Sequence, residues 1–166
     1  MRHEFWLEGP IPGIPPHLMP VAHALLQAQF ELREAAQHLT PEQVWLRPNG
    51  AASIGFHLRH LAGSMDRLVT YAMGEPLSEA QRTALAEEKT LPASPIPAGI
   101  LLDLVASTVG RVLDTLGRVD DQALLDPRLV GRAQLPSNVL GLLFHAAEHT
   151  MRHTGQVITT AKIVRG

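Results

Sequence analysis

The chain has 166 residues, 45% hydrophobic and 18% charged, a balance that suits one globular domain with a real core and excludes a disordered chain. Formal net charge is -2 with no basic run, so nucleic acid is not an expected partner, and no stretch approaches the roughly 20 apolar residues of a membrane span. There is no cysteine, which excludes disulfides, thiolate nucleophiles and Cys-ligated zinc; any metal must be held by His, Asp or Glu, and any thiol must come with a substrate.

The first ten residues carry Glu4 and Glu8 and no long apolar run, so they are not read as a signal peptide, and a cytoplasmic protein is the default expectation. Pro10, Pro12, Pro15, Pro16 and Pro20, with Gly9 and Gly13, make residues 1–20 a Pro-rich lead-in. A first long helix is expected from about Val21 to Leu39, with Val21, Leu25, Leu32 and Ala36 on one face. Thr40-Pro41-Glu42-Gln43 is a capping box that opens only a short helical turn, because Pro48-Asn49-Gly50 ends it. The second long helix should run from about Ser53 to Met73, with Gly74 as its stop and Ile54, Leu58, Leu61, Met65, Leu68 and Ala72 as its core stripe.

His60 lies on a second face of that helix, with Ser53, Phe56, Ser64, Arg67 and Tyr71 within about 40° of it. It sits about 120° from the core centre, at a boundary where a cleft can open and where a half-exposed histidine would also sit. Ser78 to Glu88 reads as a short capped helix, Leu91 to Pro97 as a linker, and Ala98 to Val119 as the third long helix, with Leu101, Leu104, Val105, Val112 and Leu116 as its apolar positions. Asp120 to Pro136, interrupted by Pro127, Gly131 and Pro136, is expected to be irregular or briefly helical and to pack across an end or side. Ser137 or Asn138 then caps a fourth long helix that continues to about Ile163. No strand-length alternation appears, and the pattern is that of an all-α, antiparallel four-helix bundle in one domain over residues 1–166.

The fourth helix carries His145, His149 and His153 at i, i+4 and i+8, a slanted row on one face, with Leu142, Gln156 and Thr160 within about 20° of His149. Two histidines four residues apart can reach one ion from one helix, whereas three span about 12 Å of axis. Two ligands are therefore expected here and at least one from elsewhere. His149 and His153 are about 6 Å apart along the axis, and His145 and His153 about twice that, diverging by about 80°. The second helix is the other one with paired histidines, and His57 and His60 differ by about 60°, so either could complete the set.

Two stretches resemble a known family. Arg47-Pro48 followed by Ser53-Ile54-Gly55-Phe56-His57-Leu58-Arg59-His60-Leu61-Ala62 is similar to the helix-two signature of the DinB/YfiT-like superfamily, and His149-Thr150-Met151-Arg152-His153-Thr154-Gly155-Gln156 resembles its helix-four signature. Order, spacing and helix number match from about Pro20 to the end. The resemblance implies a four-helix bundle with a divalent metal on three histidines, here His60, His149 and His153. It implies metal-dependent chemistry, either thiol transfer of the bacillithiol-transferase or mycothiol-dependent isomerase kind or hydrolysis. His57 and His145 are additions to the family's pattern and would be supporting groups, general bases or alternative ligands.

Three neutral imidazoles with an open position are the pattern of a catalytic rather than a structural site. Such an ion lowers the pKa of a coordinated water to about 7, or takes a low-molecular-weight thiol as thiolate. Zn or Ni is expected, with Fe as a third choice. His145 or His57 would accept the released proton, Gln156 would bond a ligand's other nitrogen or the substrate, and Arg67 would hold an anionic group, although a snorkelling surface arginine is the commoner role. Glu148 and Arg152 should form a solvent-side ion pair, and Trp6, Trp45 and Phe56 should serve packing. The expected partner is a small-molecule substrate, with a homodimer as the assembly. The competing readings are a non-catalytic metal- or ligand-binding stress-response bundle, and a metal-free bundle with a wet histidine cleft.

Overall fold

A computed structural model describes residues 3–166. In chain order the elements are α1 (Met19–Ala36), α2 (Pro41–Trp45), α3 (Ile54–Ala72), α4 (Glu79–Glu87), α5 (Ala98–Leu116), β1 (Pro127–Val130), β2 (Leu135–Asn138) and α6 (Val139–Arg165). The capping chemistry falls where the sequence puts it. Thr40 and Ser78 each close a capping box with the glutamine three residues on, Ser53 accepts from Phe56 N–H, and Asn138 rather than Ser137 caps α6 by accepting from Gly141 N–H. α5 stops at Leu116, short of the expected Val119, at a point where Gly117 lies against the lead-in: a Cβ there would be 2.9 Å from Gly13 O.

The four long helices form the expected all-α four-helix bundle, with neighbours α1–α6, α6–α3, α3–α5 and α5–α1, but it is not antiparallel throughout, because two of these four pairs run parallel. His57 meets His153 while Ser64 meets His149, so α3 and α6 are antiparallel. Arg165 donates to Ala35 O while Met151 lies beside Pro20 and His23, so α6 runs parallel to α1. Leu104 lies beside Arg59 and Ala62, and Thr115 beside Met73, so α5 runs parallel to α3. It follows that α1 and α5 are antiparallel, in keeping with the Arg33–Asp103 ion pair.

The parallel α3–α5 pair has a consequence for the chain between them. A helix can be followed by an antiparallel neighbour through a short loop, but a parallel one requires a return along the length of the bundle. Residues 73–97 make that return over the side of α3. Gln81 Nε2 donates to Asp66 Oδ2 and Thr70 Oγ1, Glu88 reaches His60 and Arg67, and Trp45 Nε1–H donates to Ile96 O near the start of α3.

The core is apolar and fully enclosed, with Leu25, Leu32, Leu58, Leu61, Met65, Leu116 and Leu143 among its largest members. Two expected core positions move outward: Leu68 is half-buried while its neighbour Val69 is buried, and Leu104 is exposed, lining the cavity under α4. Trp6 does not pack into the core either; it is 62% exposed and its indole donates to the Glu4 carboxylate. The expected irregular stretch contains an antiparallel hairpin, Pro127 paired with Asn138 and Val130 with Leu135, anchored by Arg128 Nε donating to Ala72 O. Each strand is four residues long, with two residues exposed, two partly buried and none in the core, so no apolar alternation marks it. Among the described residues no helix is long and apolar enough to cross a membrane.

Gly55, buried in the first turn of α3, gives a test of this packing. Alanine in a helix interior normally stabilises by about 1 kcal/mol over glycine. Here a Cβ would sit 2.7 Å from Trp45 Cε2, on an indole tethered to Ile96 O at 3.0 Å. Gly55→Ala is expected to destabilise the protein, and a chemical-unfolding midpoint at or above wild type would refute this account of the α2–α3 junction.

Candidate metal centre

α3 presents His57, His60, Ser64 and Arg67 along the side that faces α6 and the return segment. α6 presents His149 and His153 toward them, while Thr150 and Thr154 turn inward and donate to the carbonyls of Ala146 and Thr150. One nitrogen from each of His60, His149 and His153 lies within 4.8 Å of the other two. The ring centroids are 5.0 Å apart for His60–His149, 4.7 Å for His60–His153 and 4.5 Å for His149–His153.

The other nitrogens of these rings are engaged by the protein. His60 Nδ1 is 2.8 Å from Glu88 Oε2, His149 Nδ1 is 3.1 Å from Ser64 Oγ, and His153 Nδ1 is 2.9 Å from His57 Nδ1. Donation from His60 Nδ1 to the carboxylate leaves Nε2 with its lone pair, and that atom faces His149 Nε2 at 3.4 Å. Two nitrogens bound to one tetrahedral ion at 2.0–2.1 Å are separated by about 3.3 Å, so the spacing suits a shared ion. Ser64 can serve His149 in either tautomer, because a hydroxyl both donates and accepts and its own proton can go to Leu61 O at 3.4 Å. The donor set therefore fits a divalent transition metal in chemistry and in reach.

The electrostatics act in the same direction. Burial, then the fields of His153 and His60, depress His57 to about 4. Burial, then His153, His60, His145 and Arg152, depress His149 to about 4. Burial, His60 and Arg152 lower His153, against its hydrogen bond to Gln156 and the charge of Glu88. Neutral imidazole is the ligating form, so a cluster that resists protonation is ready to bind. Burial pushes the Glu88 carboxyl up, but the hydrogen bonds from His60 and Arg67 and the Arg67 charge outweigh it and hold it below its ordinary value.

The remaining sequence candidates fall into place around this cluster. Gln156 is exposed and bonds His153. His145 is half exposed, its ring edge toward His149 at 5.5 Å between centroids and its Nδ1 3.2 Å from Glu148 Oε2. Glu148 and Arg152 form the expected ion pair. Arg67 is not the surface side chain favoured from sequence: it is 8% exposed, and its guanidinium is committed to Glu88 Oε1 at 2.9 Å, an anion of the chain itself. Phe56 packs, as expected, but on one of the three clustered histidines, stacked on His60 at 5.4 Å and 7°.

Two site residues escaped the sequence reading. Ser64 was visible on the His60 face without a role, a small hydroxyl one turn on from His60. Glu88 carried no signal at all, since it follows Glu87 at the end of a polar helix and only the path of the return segment singles it out.

The profile of the DinB superfamily matches residues 24–157. No curated protein matches the chain. Among solved structures, a conserved protein from Enterococcus faecalis is similar with a TM-score of 0.70 and 19% identity over 90% of this chain and 97% of that one. YfiT from Bacillus subtilis, described as a "probable metal-dependent hydrolase with an unusual four-helix bundle topology", is similar with a TM-score of 0.66 and 17% identity over 95% of this chain and 93% of that one. At such identities the two structures speak for the fold. With the family profile covering most of the sequence, the chain belongs to the DinB superfamily.

Proposed function

We propose that the protein is a metal-dependent enzyme in which His60, His149 and His153 hold a divalent ion, Zn or Ni, that activates a low-molecular-weight thiol for transfer to a small electrophilic substrate. The observation that carries this reading is the convergence of three imidazole nitrogens within 4.8 Å with no carboxylate or sulfur donor among them. When bound, an ion in an all-imidazole set keeps most of its charge and supplies the Lewis acidity that brings a thiol or a water to its nucleophilic form near neutral pH.

The surroundings favour thiol over water. Water as nucleophile calls for a stronger base beside it than a thiol does. The two carboxylates nearest the cluster are both occupied, Glu88 by His60 and Arg67, and Glu148 by His145 and Arg152, which leaves imidazole as the base at hand. A thiol, with an unperturbed pKa of about 8.5 against about 15.7 for water, needs far less help to ionise. We assign His145, half exposed beside His149, to accept the thiol proton and pass it to solvent; His57 and Gln156 orient His153. Hydrolysis is the second reading, and the description of the similar B. subtilis protein as a probable metal-dependent hydrolase favours it.

The test is metal analysis of untagged protein followed by turnover assays with small thiols and a fluorogenic electrophile, run beside a panel of esters and amides. Stoichiometric metal with thiol-dependent turnover supports the first reading, and ester or amide cleavage alone supports the second. Protein that takes up no Zn²⁺ or Ni²⁺ on dialysis refutes both. His149→Ala should lose the metal. His145→Ala should keep it and lose about 100-fold or more in kcat; unchanged kcat would remove His145 from the mechanism.

Acid supplies a separate check. In the folded, metal-free protein His57 and His149 protonate at about 4, against 6.5 for an ordinary histidine. Between those values the unfolded chain binds more protons, so stability is complete above about pH 6.5 and falls as pH drops toward 4. The chelated protein should therefore show a falling Tm through this window, less steeply in His57→Ala. Metal occupancy should hold from pH 8 to about 5 and collapse below. A Tm unchanged between pH 7 and 5 would contradict the neutral cluster.

A further inference from the structure

The return segment touches the metal centre at one point, and that contact is charged, buried and enclosed. Glu88 is 7% exposed, and both of its oxygens are used: Oε2 at 2.8 Å from His60 Nδ1, and Oε1 at 2.9 Å from Arg67 Nη1. Arg67 is itself 8% exposed. Gly63 leaves these groups room: a Cβ there would lie 2.7 Å from Arg67 Nη1 and 2.8 Å from Glu88 Oε1, so the ends of both side chains would have to shift. An interior glycine weakens a helix, and here the site it opens holds the carboxylate against the ligand-bearing side of α3.

α4 buries none of its own residues. Its attachment to α3 rests instead on polar contacts. Gln81 bonds Asp66 and Thr70 at 2.7 Å each; Arg59, the residue before His60, donates to Glu87 O at 3.0 Å and Thr90 O at 2.9 Å; and Glu88 sits between these carbonyls in sequence. A carboxylate accepting from His60 Nδ1–H fixes the tautomer and the plane of the ring, and leaves Nε2 as the free donor. Only a docked segment supplies that carboxylate.

We propose that Glu88 is the positioning residue of His60, so that docking of residues 79–90 on α3 and binding of a divalent metal are coupled. The proposal rests on the metal reading above. Coupling is reciprocal: if the docked segment tightens the metal site, the bound metal tightens the docking by the same factor. Arg67 acts one step further out, fixing the carboxylate it shares with His60.

The experiment uses the full chain, with Zn²⁺ and Ni²⁺ as probes, in wild type, Glu88→Gln and Gly63→Ala. Dissociation constants come from competition with a chromophoric chelator, the His60 tautomer from ¹⁵N-histidine NMR of metal-free protein, and docking from hydrogen exchange of residues 79–90 with and without Zn²⁺. Expected results are an Nδ1–H tautomer at His60 in wild type, metal affinity about 10- to 100-fold weaker in both variants, and Zn²⁺-induced protection of residues 79–90 that is lost in Glu88→Gln. Gly63→Ala changes neither a ligand nor Glu88 itself and displaces the Glu88–Arg67 pair only by its added methyl, so it carries the affinity test should Glu88→Gln misfold. Wild-type affinity in the folded variants, or an Nε2–H tautomer at His60 in wild type, overturns the proposal while leaving the metal reading intact. Wild type that binds neither ion refutes the metal reading and this proposal with it.

Discussion

The antiparallel contact between α3 and α6 is the constraint on which the site depends. It sets His57 opposite His153 and Ser64 opposite His149, and it leaves His60 Nε2 facing His149 Nε2 at 3.4 Å. Histidines on one helix have fixed spacing, about 6 Å of rise for an i, i+4 pair. Only a second helix can bring a third imidazole to the point where the first two converge. The apolar side of the same helices, with Leu58, Leu61, Met65 and Leu143 fully enclosed, supplies the burial energy that holds the two backbones together. The polar cluster lies at the edge of that seam, where a cleft can open without breaching the core.

Placing so many polar groups in a bundle interface would be costly if any were left alone, about 1–3 kcal/mol for each unsatisfied group. Among the described residues no buried side-chain nitrogen or oxygen lacks a partner. Ser64, Thr150 and Thr154 bond to carbonyls within their own helices, and Ser64 also reaches His149. The histidines bond to one another, to Glu88 and to Ser64. The cluster is thus self-consistent without a metal, yet held with nitrogens facing each other and with protons disfavoured, an arrangement that stores readiness for a cation rather than structural strength.

Much of this was legible in the sequence, and the reasons are local. Helix starts follow from Thr40, Ser53, Ser78 and Asn138, residues whose side chains cap their own backbone. The histidine row follows from helical periodicity, and His149 with His153 from reach alone. The choice of His60 over His57 came from family resemblance, because a difference of about 60° on a helix is too small for spacing to decide. The structure separates the two by what each meets: His60 faces His149 and Glu88, whereas His57 faces His153 Nδ1. The hairpin was not legible, since Leu135-Pro136-Ser137-Asn138 offers no alternating face, and register there is set by the closing loop and by Arg128 on Ala72 O. Nor was Arg67, whose burial depends on Glu88, a residue from another segment.

Glu88 shows why the rest was hidden. Its role is written in no motif and no period; it follows from the direction of α5. Because α5 runs parallel to α3, the chain must travel back along α3 before α5 can begin, and the return passes the side of α3 that carries His60. A bundle with α5 antiparallel to α3 would have joined them by a short loop and left His60 Nδ1 to solvent. The same parallel pairing keeps α4 out of the core, so that helix is held by polar contacts, while Ile96 at the end of the return packs against the core. A site whose imidazoles sit on two packed helices and whose carboxylate sits on a polar-anchored segment has one rigid half and one that can respond. In this chain the topology, more than any single residue, brings Glu88 and Arg67 together behind His60.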